Sequence, residues 1–266
     1  MKQYILLPIL ALSLASCASS QLRQVENECP VSLSSAPKSL RRAMCTEVIT
    51  PSQGSISGIQ RIWGYRGDKW NKDELTICFL NGSDKQHEKT KRYAEEWLKY
   101  CGLKFIWLDK PDQMADIRIS YRCGGHWSYV GRGNLNVARN KATMDLELSS
   151  WDSNDEWRRV VLHEFGHAIG FQHEQFHPET DLKPDEKKVL YYYMSTQGWS
   201  EKMVRQQVLS KMKVSPSQFI GSEYDRTSIM HYPFPAELTV DGRGVGWNTE
   251  LSDKDKELVA KMYPKE

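Results

Sequence analysis

Apolar residues change their spacing three times along this chain, and each change marks a different kind of segment. Tyr4 to Leu14 is a nearly unbroken apolar run. Residues 17–60 contain CASSQ, SLSSAPKS and TPSQGSISG, rich in Ser with Pro and Gly and without sustained period, which predicts a tether or prosegment rather than a domain. From Ile62 onward periodic segments recur. Leu75 to Leu80 and Leu103 to Leu108 are short apolar runs suited to buried strands. Asp116 to Tyr121 places Ile117, Ile119 and Tyr121 on one face, and Thr143 to Leu148 does the same with Met144, Leu146 and Leu148, so two more strands are predicted. Ser83 with Gln86 offers a capping box for a helix carrying Tyr93, Trp97 and Cys101, which Gly102 stops. Ser153 with Glu156 opens a second helix through Trp157, Val161, Phe165 and Ala168, ending at Gly170. A polar, Tyr-rich stretch follows and reads as mostly irregular, before LSDKDKELVAKMY forms a closing helix capped by Ser252. There is no internal repeat. Strands and helices first, loops later, predict an α+β domain of two lobes over residues 61–266.

Composition narrows the picture. At 266 residues with 39% hydrophobic content the chain can bury one good core, and it is expected to be a monomer. Lys and Arg number 36 against 34 Asp and Glu, with no block of like charge, so no nucleic acid or acidic polymer is called for. Lys2 before the apolar run and small residues after it give the layout of a secretory signal, too short to span a bilayer comfortably. Leu14-Ala15-Ser16-Cys17 is similar to the bacterial lipobox, which implies a signal over residues 1–16, cleavage before Cys17 and lipidation of that residue. An ordinary signal with a chance Cys is the alternative. Ala18 rather than Asp after the Cys implies outer-membrane sorting in a Gram-negative cell. Export would expose Cys29, Cys45, Cys78, Cys101 and Cys123 to an oxidising compartment, where five cannot all pair within one chain. A local Cys29–Cys45 bridge and one among the other three are expected, although spacing does not fix connectivity.

The chemistry is concentrated in HEFGHAIGFQHE, residues 163–174, which holds three of the seven histidines. Residues four apart on a helix point the same way, so His163 and His167 present two imidazoles to one point, with Glu164 beside them. A catalytic zinc site needs three protein ligands and one open position, and the third ligand requires the chain to break and return. Gly170 permits the break and His173 returns.

This run resembles the extended zinc motif of the metzincin peptidases, HExxHxxGxxH, and Glu174 after the third His narrows the resemblance to the astacins. A second match, Ser228-Ile229-Met230-His231-Tyr232, is similar to the Met-turn of that family. The resemblance extends from about Trp70 to Tyr263. It implies a twisted mixed sheet with helices in the N-terminal lobe, a mostly irregular C-terminal lobe, one catalytic Zn2+, and hydrolysis of peptide bonds in protein or peptide substrates. It also implies that His163, His167, His173 and Tyr232 hold the metal, that Glu164 and Tyr232 are catalytic, and that Met230 packs beneath the imidazoles. CGGHWSYVGRGN, residues 123–134, corresponds to the cleft border in metzincins, and its edge is expected to pair with extended substrate; an ordinary Gly-rich turn is the alternative. His126 within it reads as neither ligand nor catalyst. Gln175-Phe176-His177-Pro178 departs from the astacins proper and implies a divergent, bacterial branch. Tyr65-Arg66-Gly67-Asp68 is similar to their FxGD inhibitory motif but reads as a plain turn. A leader thiolate capping the metal would keep such an enzyme latent, while a free thiol or disulfide is the commoner fate. Two other functions fit the residues: a catalytically silent zinc-containing binding lipoprotein, and a zinc amidase acting on cell-wall peptides. Glu164 speaks against silence, because a purely structural site needs no base beside its ligands.

Overall fold

A computed structural model of the chain describes residues 64–65, 67–210, 219–221 and 223–265. In chain order its strands are β1 (Gly64–Tyr65), β2 (Glu74–Phe79), β3 (Lys104–Trp107), β4 (Ile117–Ser120), β5 (His126–Ser128), β6 (Met144–Leu146) and β7 (Phe219–Ile220). The helices are α1 (Asp84–Ala94), α2 (Asn154–Ala168), α3 (Glu186–Gln197), α4 (Glu201–Val204), which runs on into a π turn Arg205–Leu209, and α5 (Asp253–Met262). Five strands form one sheet in the order β3-β2-β4-β6-β5, parallel throughout except for the antiparallel edge strand β5, so the sheet is mixed and the domain α+β. β1 and β7 pair separately.

Alternation divides the chemistry of the sheet's two faces. Register places Ile77 beside Ile117 and Trp107, and Ile119 beside Met144, so these residues share one face. They pack with Val161 and Phe165 of α2 in one continuous core. Phe79 stacks on His87 of α1 at 4.0 Å and on Trp107 at 5.5 Å, so both long helices cover this face. The opposite face is closed by a smaller apolar cluster around Trp127, Tyr129 and Val137 and by buried polar groups. There the buried Arg118 guanidinium donates to the carbonyls of Lys141 (2.8 Å) and Ala115 (2.8 Å), and burial lowers its pKa. Asp116 ties the start of β4 to β2, taking the Thr76 N–H, the Thr76 hydroxyl and the Lys72 ammonium on its carboxylate.

The four predicted strands correspond to β2, β3, β4 and β6, and the Ser83, Ser153 and Ser252 caps all open helices. The Tyr-rich stretch of the mostly irregular C-terminal lobe holds a helix its pattern does not announce, α3, opened by the Asp185 cap and closed by Gly198 at φ +66°. One expectation is corrected. The bridge expected among Cys78, Cys101 and Cys123 does not form: Cys78 and Cys101 are free and buried, while Cys123 is disulfide-bonded. Cys78 Sγ is turned to the Asp112 backbone and Cys101 Sγ to the Trp97 carbonyl, on separate elements. Cys17, Cys29 and Cys45 lie outside the described residues.

A second core gathers Leu182, Val189, Tyr193, Val204, Val208, Phe234, Leu238 and Val245 with Tyr232. Met230 belongs to the first core and Tyr232 to the second, so residues 230–232 run along the seam between two lobes. No helix among the described residues is long and apolar enough to cross a membrane.

Candidate functional site

The site is built on α2, whose N-terminus is fixed by the Ser153 hydroxyl accepting from Glu156 N–H and by Asp155 and Glu156 in the first turn. Every residue from Val160 to Ala168 is buried. His163 and His167 therefore cannot turn to solvent, and their rings lie 4.8 Å apart at 90°. Gly170, at φ +106°, ends the helix in a conformation that a side chain would strain. The chain reverses there, with Phe171 N–H on the Gly166 carbonyl at 2.9 Å, and the Phe171 carbonyl accepts from His167 Nδ1 at 2.9 Å. His163 Nδ1 donates to the Ile229 carbonyl at 2.8 Å.

A carbonyl only accepts, so in both rings the proton sits on Nδ1 and the Nε2 lone pair faces inward. His173 completes the set: its Nε2 lies 3.0 Å from that of His167 and 3.2 Å from that of His163. Three ligands about 2.0–2.1 Å from a tetrahedral zinc would stand about 3.3 Å apart, close to the two separations from His173, and all three donors lie within 4.8 Å of one another. Burial, then the neighbouring His167 and His173 charges, holds His163 well below the usual imidazole pKa, and burial carries His173 to about 3. Both are neutral at pH 7, the form that binds metal.

Around the three rings the structure places the other residues expected at the site. Glu164 follows His163 on α2 and is 1% exposed. The Tyr232 ring is 4.3 Å from that of His173 and 6.1 Å from that of His163, and its backbone N–H donates to Gln175 Oε1. The Met230 thioether lies against α2 where residue 166 is Gly, and a Cβ there would collide with the sulfur. Glu174 is buried, accepts from Asp225 N–H at 2.8 Å, and is pushed well above the carboxylate range by burial. His126 is buried in β5, outside the histidine cluster. The Asp68 carboxylate accepts from Gln172 Nε2 at 3.0 Å and its carbonyl from Arg132 N–H at 2.9 Å, so the chain at Asp68 is tied down beside the site.

Three contributors lie outside the sequence-based expectation: the Ile229 and Phe171 carbonyls that orient the rings, and Gln175. The break at Gly170 is a usable signal for the Phe171 carbonyl. Nothing local announces the other two, because their partners come from the opposite lobe.

A family model described as Astacin, a peptidase family, matches residues 64–264. Protein SpAN of Strongylocentrotus purpuratus is 26% identical over 214 residues, covering 75% of this chain and 32% of SpAN. Blastula protease 10 of Paracentrotus lividus is 34% identical over 218 residues, covering 75% of this chain and 33% of that protein. The chain thus spans about a third of the length of these two relatives. Among solved structures, "Structure of myroilysin" is similar with a TM-score of 0.72 and 34% identity, covering 76% of this chain and 98% of that one.

Proposed function

Since the chain belongs to the astacin family of peptidases, we propose that it is a zinc-dependent endopeptidase that hydrolyses peptide bonds of protein substrates. The observation that carries this reading is the convergence of three buried Nε2 atoms beside a buried carboxylate. His163, His167 and His173 would hold the metal, with Tyr232 as a further ligand in the resting site. Zinc, when bound, acidifies a water and polarises the scissile carbonyl. Glu164 accepts the proton of that water and passes it to the leaving amine. The Tyr232 hydroxyl donates a hydrogen bond to the oxyanion as negative charge develops. Met230 fills the space beneath the rings, a role for which a soft, unbranched thioether suits.

The remaining assignments extend the same reading. Residues 1–16 are a lipoprotein signal, 17–60 a tether or prosegment and 61–266 the peptidase domain. Acyl chains on Cys17 anchor the exported enzyme to the bacterial membrane, the outer one in a Gram-negative cell. The domain acts as a monomer. The extensive buried core of the N-terminal lobe and the near-zero charge balance support a self-contained domain that needs no polyanionic partner.

The deciding experiment incubates the zinc-loaded chain and its Glu164→Ala variant with an unfolded protein and follows fragments by mass. Cleavage by the parent and none by the variant is the expected result. If neither cuts while both hold zinc, the site grips rather than hydrolyses; cutting of cell-wall peptides alone would make it an amidase.

A further inference from the structure

Asp255, at the third position of α5, is buried and does more than cap its own helix. Capping accounts for one bond, from Ser252 N–H to Oδ2 at 2.9 Å. Two others leave the helix: Oδ1 accepts from the Ser228 hydroxyl at 2.7 Å, and Oδ2 from Ile229 N–H at 2.8 Å. The Ser228 oxygen in turn accepts from Met230 N–H at 3.0 Å. Three consecutive residues of the 228–230 turn are thus held on a single carboxylate belonging to another element. The same turn faces the histidines with its carbonyls. Ile229 O accepts from His163 Nδ1 at 2.8 Å, and Met230 O accepts from Glu174 N–H at 3.0 Å, one residue from His173.

We propose that Asp255 is a positioning residue of the metal centre: by clamping the 228–230 turn to α5 it fixes the acceptor that sets the tautomer and direction of the His163 ring. Metal retention then depends on a helix that contributes no ligand. A loosened turn lets the Ile229 carbonyl drift, His163 Nε2 leaves the common point, and the site keeps two aligned ligands instead of three. Outer partners of ligating histidines influence affinity by about 10–100-fold, and a carboxylate one step further out should act at the lower end of that range. This inference rests on the zinc reading of the three histidines.

The test measures the rate at which the zinc-loaded full chain surrenders its metal to an excess of chelator, together with Tm. Asp255→Ala removes the clamp, and Ser228→Ala removes part of it should the first variant not fold. Ser252→Ala is the control, because it weakens the α5 cap while leaving the bonds from Asp255 to the turn in place. The first two should lose zinc about tenfold faster than the parent, and the control should lower Tm with zinc release at the parental rate. Release at the parental rate in Asp255→Ala and Ser228→Ala overturns the proposal, as does release that follows Tm alone across all three. A parent that holds no zinc overturns the reading of the site and this inference with it.

Discussion

Glu164 shares its helix with His163 and is sealed from bulk water by the same packing. Replacing it with Gln keeps the volume and removes the base, so kcat should fall by about 10²–10⁴, with one zinc still bound by metal analysis. Tyr232→Phe deletes one hydrogen-bond donor and leaves the ring that packs on His173. It should lower kcat by about 10²-fold with little change in KM, read from initial rates on a fixed peptide. The clustering of His163, His167 and His173 was legible in the sequence because a helix's own geometry converts i and i+4 into a shared direction, and a glycine at the right offset announces the return. Ile229 and Asp255 were not. A backbone carbonyl carries no residue signature, and an Asp three positions after a Ser reads as an ordinary cap until the fold brings residue 229 to it.

Elements show the same division between local and long-range information. The strands were readable because alternation in Asp116 to Tyr121 reflects a sheet with one apolar face, against which Phe165 packs. The first helix was expected to carry Trp97 and Cys101 but ends at Ala94, after which the chain tightens into a 3-10 turn, Trp97–Lys99. That turn sends the Trp97 indole N–H to the Leu162 carbonyl of α2 at 3.0 Å, a tertiary demand invisible in the period. Helix α3 escapes a reading by period because its three consecutive tyrosines blur the apolar stripe, although the Asp185 cap and Gly198 stop are there to be read. Where α2 meets the 228–230 turn, Gly166 is the contact that admits Met230, and a methyl added there would overlap the Met230 sulfur and crowd Met230 Cε (3.2 Å) and Trp97 Cζ2 (3.3 Å). Gly166→Ala should therefore cost about 1–3 kcal/mol by denaturant unfolding. It should also weaken zinc binding, since the displaced Met230 carries the Glu174 N–H acceptor with it.

Across the whole molecule, the cost of burying ionisable groups is unevenly spread over pH. Burial carries His173 to about 3 and His231 to about 4, and also lowers His163. Without metal, these groups contribute stability that is present above the usual imidazole pKa of about 6.5 and is lost as pH falls toward their folded values. Buried carboxyls run the other way. Asp145 in β6 is pushed up to about 8, chiefly by burial, while it accepts the N–H groups of Arg122 and Cys123 at 3.0 Å each. The folded chain keeps a proton that the unfolded chain gives up near pH 4, so this contribution is full in acid and is lost as pH rises toward 8. Well above pH 6.5 the histidines are neutral in both states, and the residual titration of the unfolded imidazoles nearer 6.5 is the same in the parent and in an Asp145 variant. Between pH 6.5 and 8, Asp145 alone should remove about 1–2 kcal/mol of stability. Asp145→Asn reproduces the neutral form in both states, so urea unfolding of the zinc-loaded variant should lose about that much less than the parent over the same interval. Glu174, also raised by burial, is common to both proteins and cancels in the difference. Equal losses in parent and variant would mean that Asp145 is ionised in the fold, with the Arg122 and Cys123 N–H groups outweighing its desolvation.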